Sequence, residues 1–273
     1  MHFAATVATM QPHYSGCFVS SLGPFRTLTS VQTGYPVQGA EHPAAISGDL
    51  IMLFQDRLFE NRQDAGQKLA ARLMPYQRED CIVLALPRGG VPVGYEVSDS
   101  LGKPLDVLVV RKVGMPGHEE LAIGAVGPEG VVVWNHELLA HFRLRAEDLQ
   151  PVVEREKTEL ARRLAAFRGD RPYPDLRDKT VIIVDDGLAT GASARAAILA
   201  VKAMGPARVV LAVPVGSQST VSELRRLVDE LVCLSSPEFF EAVSMWYHDF
   251  SQTTDAEVIE LLHQAWNMQQ SVP

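Results

Sequence analysis

Residues 181–193 read Val-Ile-Ile-Val-Asp-Asp-Gly-Leu-Ala-Thr-Gly-Ala-Ser. Two adjacent carboxylates, Asp185 and Asp186, follow a run of four aliphatic residues. Like charges side by side at the end of a buried run are costly unless they meet something cationic or rich in hydroxyls. Thr190, Gly191, Ala192 and Ser193 then supply hydroxyls and backbone N–H groups that a ligand can approach closely. At the start of a helix, such groups form an anion site suited to a phosphate monoester. Acids that hold a diol, beside a cradle for a phosphate, describe a receptor for a ribose 5-phosphate group. Each carboxylate–hydroxyl bond there is worth roughly 1.5–3 kcal/mol. The competing reading is an Asp-Asp-Gly turn with Ser193 as a helix cap. It leaves the aliphatic run and the Thr-Gly-Ala-Ser unconnected.

Three further stretches carry polar chemistry. Leu86-Pro87-Arg88-Gly89-Gly90-Val91-Pro92 follows an apolar run. Its glycines free backbone N–H groups for an anion, and Arg88 adds charge, although a plain Gly-Gly turn reads the same way. A second run ends in Arg111-Lys112-Val113-Gly114-Met115-Pro116-Gly117-His118-Glu119-Glu120. Its two bases are anion ligands or ordinary solvated charges, its glycines are candidate hinges, and His118, Glu119 and Glu120 are candidate catalysts on a loop. Residues 237–250 gather five aromatics, for which core packing is the simplest use. The 3 cysteines, Cys17, Cys81 and Cys233, form no Cys-x-x-Cys pair, so neither a zinc site nor a disulfide framework is indicated.

These residues need strands and helices to position them. Leu58, Arg62, Ala65, Leu69 and Leu73 mark a helix stripe that Asp56 can cap. Residues 81–86 form a continuous apolar run, as a strand buried on both faces requires. A helix near 91–101 and a strand at 105–110 follow. Residues 121–126 and 131–134, joined by Gly127-Pro128-Glu129-Gly130, read as a hairpin. A charged helix covers about 147–168, with Pro151 in its first turn. Strand 181–184 leads to a helix that Gly205-Pro206 stops. Strand 209–213 comes next. A capping box, Thr220 with Glu223, opens a helix holding Val221, Leu224, Val228 and Leu231, and 231–234 is a short last strand. A second box, Thr254 with Glu257, opens the C-terminal helix. The alternation predicts an α/β fold, a doubly wound and mostly parallel sheet covered on both faces. Ligands of such sheets bind at the carboxyl ends of strands near a topological switch point.

The chain has 273 residues, 47% hydrophobic and 21% charged, which suits a packed core. No apolar run reaches about 18 residues, so no membrane partner is expected. A net charge of −8 argues against a nucleic-acid partner. The cysteine usage suits a reducing, cytoplasmic setting. Residues 1–51 carry only Arg26, Glu41 and Asp49 as charges and show no sustained period. They read as a disordered tail or a non-native extension, with Met52 as the alternative start. Residues 52–273 then form the folded domain.

Residues 181–193 resemble the 5-phosphoribosyl 1-diphosphate (PRPP) binding signature of the type I phosphoribosyltransferase family. Gly187 departs from the aliphatic residue usual there. The three loops together resemble a bacterial branch of the family whose acceptor they do not name. The resemblance implies that family's sheet with a small hood at about 235–252. It implies transfer of a 5-phosphoribosyl group from PRPP to a small-molecule acceptor, a nucleobase among the candidates, with release of pyrophosphate, as in nucleotide salvage. Asp185 and Asp186 would hold the ribose hydroxyls. Gly187, Leu188, Ala189, Thr190, Gly191, Ala192 and Ser193 would wrap the 5-phosphate. Pro87, Arg88, Gly89 and Gly90 would grip pyrophosphate, with a cis peptide near Arg88-Gly89. Arg111 and Lys112, at a strand tip followed by a mobile loop, would neutralise the leaving group. A general base, where one is needed, comes from elsewhere in this chain, with Glu119 and Glu120 as the candidates. Trp246, Tyr247 and Asp249 would meet the acceptor. Mg²⁺ would bridge substrate oxygens, touching Asp185 and Asp186 mostly through substrate and water. A homodimer fits the resemblance. Ala189 stands where oxopurine enzymes have an acid, which makes hypoxanthine or guanine a poorer match. A PRPP-binding regulator and a PRPP hydrolase are the alternatives.

Overall fold

The computed structural model describes residues 57–270, so the expectations for residues 1–51, for Met52 and for Asp56 fall outside the described residues. Helix α1 (Arg62–Leu73) starts later than its stripe suggests. Asn61 is its cap, accepting the Asp64 N–H at 2.9 Å, and Leu58 lies before it. Phe59 forms a parallel bridge with Tyr247 instead.

Strand β1 (Cys81–Ala85) is buried throughout and leads to α2 (Gly90–Leu101). Strand β2 (Leu105–Val107) is shorter than its apolar run, although the Leu108 N–H still donates to the Ala85 carbonyl at 2.9 Å. The next stretch corrects the expectation of a loop. Strand β3 (Arg111–Met115) pairs antiparallel with β4 (His118–Val126), which pairs in turn with β5 (Val132–Trp134). Gly117, at φ +80°, makes the tight turn, and the register shifts around Gly114. Glycine and proline read as loop signals here, yet Val113 and Ile123 are fully buried and anchor the arm.

Helices α3 (His136–His141) and α4 (Gln150–Arg168) follow. Arg168 grips Asp106 on β2 through two hydrogen bonds of 2.7 and 2.8 Å. This buried pair fastens the end of α4 to the sheet edge. Strand β6 (Thr180–Val184) is buried throughout and precedes α5 (Ala192–Ala203). Strand β7 (Arg208–Val215) leads to α6 (Gln218–Leu224), then β8 (Glu230–Ser235) and α7 (Asp255–Gln270).

Ser217, not Thr220, caps α6, accepting the Thr220 N–H at 3.3 Å. The Thr220 hydroxyl donates instead to the Ala189 carbonyl at 2.7 Å. Leu231 belongs to β8, not to a helix. At α7 the box forms as expected. Glu257 N–H donates to Thr254 Oγ1 at 3.2 Å, and Thr254 N–H to Glu257 Oε2 at 2.6 Å.

The five parallel strands lie in the order β2-β1-β6-β7-β8. Alternate residues of β1 face opposite layers, as the period of a strand demands. Val83 and Ala85 pack with α1, α2 and α7 residues, while Ile82 and Leu84 pack with α5 and α6 residues. The chain runs outward in one direction from β1 and in the other from β6. Their carboxyl ends therefore flank the switch point. Among the described residues no helix is long and apolar enough to cross a membrane.

Candidate active site

The loops after β1 and β6 meet face to face. The Leu86 N–H donates to the Val184 carbonyl at 2.8 Å, carrying the pairing past the strand ends. The Pro87–Arg88 peptide is cis, one bond before the expected place. A Cβ on Gly89 would overlap the Asp186 carboxylate. One on Gly90 would stand 2.7 Å from the Val184 carbonyl and 3.0 Å from Asp185 Cα. The Gly-Gly pair is thus required by close approach to the acids and not by a positive φ. The Arg88 side chain is exposed and points to Asp255 at the start of α7, 3.5 Å away.

The two acids are half-buried and differently held. Asp185 Oδ1 accepts the Asp186 N–H at 2.9 Å. Asp186 Oδ2 accepts from Arg62 Nε at 2.8 Å. Arg62 also donates from Nη1 to the Ser251 carbonyl at 2.7 Å, and its guanidinium lies 3.8 Å above the Phe250 ring. Burial, followed by the neighbouring Asp186 charge, holds the Asp185 carboxyl well above the ordinary carboxylate range. Burial raises Asp186 too, opposed by Arg62. A site that keeps a carboxylate pair costly in its empty form gains from a ligand able to hydrogen-bond to both.

Arg62 is a site residue that sequence reasoning missed. The signal was present: it is the one charged side chain on the apolar stripe of α1.

Residues 187–193 form a cup at the start of α5. Leu188 is buried and donates its N–H to the Val215 carbonyl at 2.9 Å. Gly191, at φ +69°, turns into the helix and lies so close to Thr220 that a Cβ would stand 2.5 Å from its methyl. Gly191 at the cap of α5 offers no side chain, the Thr190 hydroxyl accepts the Ala192 N–H only at a long 3.5 Å, and Ala189, Thr190, Ala192 and Ser193 are exposed. A loosely capped N-terminus behind exposed hydroxyls suits an anion. The departure at Gly187 has a local cause: Val243 fills the space, 2.5 Å from where a Cβ would sit.

The cationic arm is built otherwise than expected. Arg111 spends its guanidinium on Glu156 of α4, with Nε at 2.9 Å from Oε2 and Nη2 at 2.8 Å. Lys112 is exposed. A cleft of about 240 Å³ is lined by Pro87, Arg111, Lys112, Arg163, Ala192 and Ser193, among others. A second, of about 430 Å³, adjoins Pro87 and Arg88 and is lined by Arg162, Arg163 and Asp255. Arg163 on α4 therefore faces both, a contribution not visible in a helix read for its apolar side. Glu159 pairs with Arg162 at 2.8 Å and Arg163 at 2.9 Å, and these hydrogen bonds bring its carboxyl down to about 2. His118 is exposed at the tip of the arm, and Glu119 and Glu120 lie in β4.

The hood residues divide. Tyr247 is 1% exposed and donates its hydroxyl to the Asp186 carbonyl at 2.6 Å. Its ring packs against Phe59 and Phe250 and is closed to an acceptor, so it supports the acid loop instead. Trp246 stacks on Phe240 at 6.3 Å, and its buried indole N–H has no partner among the described residues. Asp249 is exposed and accepts the Ser251 N–H at 2.8 Å, which keeps its carboxyl low.

A parallel sheet with an acid pair and a glycine loop abutting at its switch point places the chain among the open α/β sheets whose ligands bind at strand carboxyl ends. The chain matches the phosphoribosyl transferase domain over residues 55–250 and belongs to the type I phosphoribosyltransferase family. It is 46% identical over 209 residues to two proteins of Mycobacterium tuberculosis, from strains CDC 1551 / Oshkosh and ATCC 25618 / H37Rv. They are named "Putative phosphoribosyl transferase MT0597" and "Putative phosphoribosyl transferase Rv0571c". The match covers 77% of this chain and 47% of each relative, so the chain spans about half the length of the curated relatives it matches. Among solved structures, TT1426 from Thermus thermophilus is similar, with a TM-score of 0.70 and 43% identity over 76% of this chain and 98% of that one.

Proposed function

We propose that the chain transfers a 5-phosphoribosyl group from PRPP to an acceptor nitrogen and releases pyrophosphate. The bond from ribose C1 to the pyrophosphate oxygen breaks and a C1–N bond forms. The acceptor's proton passes to a base or to solvent. One observation carries the reading: the Gly89-Gly90 loop packs directly on the Asp185–Asp186 pair, beside an exposed helix start. A ribose diol on the acids then lies between a cup for its 5-phosphate and a loop for its 1-diphosphate.

In this reading Asp185 and Asp186 bind the hydroxyls and lie near the positive charge that develops on the ribose ring. The cup at 189–193 orients the phosphate arm, and Lys112, Arg163 and the 87–90 backbone stabilise the departing anion. Arg111 acts at one remove, holding the arm to α4. Among the described residues no group of three or more His, Cys, Asp or Glu side chains is placed to hold a metal. A Mg²⁺ ion would be held largely by substrate oxygens and water, with Asp185 and Asp186 as the nearby acids, and would supply charge to neutralise pyrophosphate.

The test is to incubate the chain with Mg²⁺ and PRPP, with and without a panel of nucleobases and other nitrogen heterocycles. Pyrophosphate released only with an acceptor supports transfer and names the acceptor. Release without one turns the reading to a PRPP hydrolase. Binding without turnover turns it to a PRPP-binding regulator, and no binding overturns all three.

A further inference from the structure

Arg62 joins three segments that are far apart in sequence. Nε reaches Asp186 Oδ2 at 2.8 Å, Nη1 reaches the Ser251 carbonyl at 2.7 Å, and Phe250 lies under the guanidinium. Only 12% of its side chain is exposed. The Asp186 carboxylate sits between this guanidinium and the Gly89 backbone, and a Cβ on Gly89 would also stand 3.1 Å from Arg62 Nε. Segment 246–249 is laced to the approach of α1 as well. Phe59 N–H donates to the Trp246 carbonyl at 3.1 Å, and the His248 and Asp249 N–H groups donate to Phe59 and Glu60 carbonyls at 2.8 Å.

We propose that Arg62 is a positioning residue that makes residues 247–251 respond to what occupies the Asp185–Asp186 pair. The inference deepens the transferase reading and rests on it for the ligand. A guanidinium is a rigid planar fork, so fixing one of its partners fixes the direction of the other donors. A diol hydrogen-bonded to Asp186 restricts that carboxylate. The fork transmits the restriction to Ser251 and, through the stacked ring, to Phe250. Tyr247 makes a second link of a different kind. It holds the Asp186 backbone carbonyl, which does not turn with the carboxylate. Lysine at 62 could satisfy Asp186 or Ser251 as a point charge, but not both in fixed geometry.

Hydrogen exchange followed by mass spectrometry, on the full chain with and without PRPP and Mg²⁺, tests this. In the wild type, PRPP slows exchange at 185–193 and at 247–251 together. Arg62→Met and Arg62→Lys keep the slowing at 185–193 and lose it at 247–251. Tyr247→Phe speeds exchange at 247–251 in both states but keeps the PRPP-dependent difference. Slowing at 247–251 that persists in both Arg62 variants overturns the proposal, as does a wild type in which 185–193 slows alone. Should Arg62→Met not fold, Arg62→Lys carries the comparison. If PRPP leaves 185–193 of the wild type unchanged, the transferase reading fails separately. The coupling is then read from the ligand-free proteins. There Arg62→Lys must speed exchange at 185–193 and 247–251 together, and unchanged rates overturn it.

Discussion

Gly89 has no room for a side chain because the Asp186 carboxylate occupies the space. Two loops that lie 97 positions apart in sequence, by subtraction of their numbers, are thereby fitted to each other at backbone distance. Gly89→Ala must push the two loops apart or turn the Asp186 carboxylate out of its bond to Arg62. PRPP affinity is expected to fall roughly ten- to a hundredfold, the loss of one or two charge-assisted hydrogen bonds. Titration calorimetry of wild type and variant reads it directly. Unaltered affinity would show that the fitted contact is not part of the ligand site.

Asp186→Asn keeps the shape of the side chain and removes its charge. The amide can still accept from Arg62, so the fold is retained. A neutral acceptor holds a hydroxyl less well than a carboxylate does. Turnover of PRPP is expected to drop about tenfold or more, with thermal unfolding within a few degrees of wild type. Equal turnover in a steady-state pyrophosphate assay would remove Asp186 from the ribose site.

Asp185 shows the same conflict from the side of stability. Its carboxyl is raised by burial, then by the Asp186 charge, while the Asp186 N–H and Arg62 lower it. Tyr247, on the hood side, also faces this pair. A folded-state value above the unfolded one means that the native chain holds the extra proton between the two. Stability therefore falls as pH rises through that window, and the full penalty stands above it. Asp185→Asn is expected to raise Tm at pH 7.5 by about 2–4 °C, near 1 kcal/mol, while abolishing PRPP binding. The gain should shrink toward pH 4, where the unfolded-state aspartate is itself about half protonated. A variant less stable than wild type at every pH would contradict this account.

The parts of this fold that could be read from the sequence are those whose signals are local. A buried parallel strand is a continuous aliphatic run, so β1 and β6 stand where 81–86 and 181–184 predict them, and the acids fall at a strand tip. The box at Thr254 formed, with Thr254 and Glu257 each accepting the other's backbone N–H. The box at Thr220 did not, because its hydroxyl is drawn to the Ala189 carbonyl, 31 positions away in sequence. Gly114, Pro116 and Gly117 hid the β3–β4 arm, since a twisted two-stranded turn uses the same residues as a loop. Arg62 stood out as a charge on an apolar stripe, but its partner did not, and Arg163 and the Arg111–Glu156 pair were out of reach for the same reason. Their roles are set by which distant carboxylate or cleft the folded chain brings beside them, and no spacing encodes that.

The two adjacent bases of β3 should separate cleanly. Glu156 is buried, and Arg111 is its main partner, supported from the surface by Arg155 at 3.2 Å. Arg111→Gln strands much of that charge and is expected to cost about 1–3 kcal/mol of stability, with activity falling because the arm loosens. Lys112 is exposed on the opposite face of the strand and lines the cleft beside Ser193. Lys112→Gln should leave the unfolding free energy within about 0.5 kcal/mol and still lower turnover about tenfold or more, through weaker stabilisation of the leaving anion. Urea unfolding and single-turnover pyrophosphate release, measured on both variants, place each base. If Arg111→Gln proves as stable as wild type and Lys112→Gln as active, the roles assigned to them are reversed or absent.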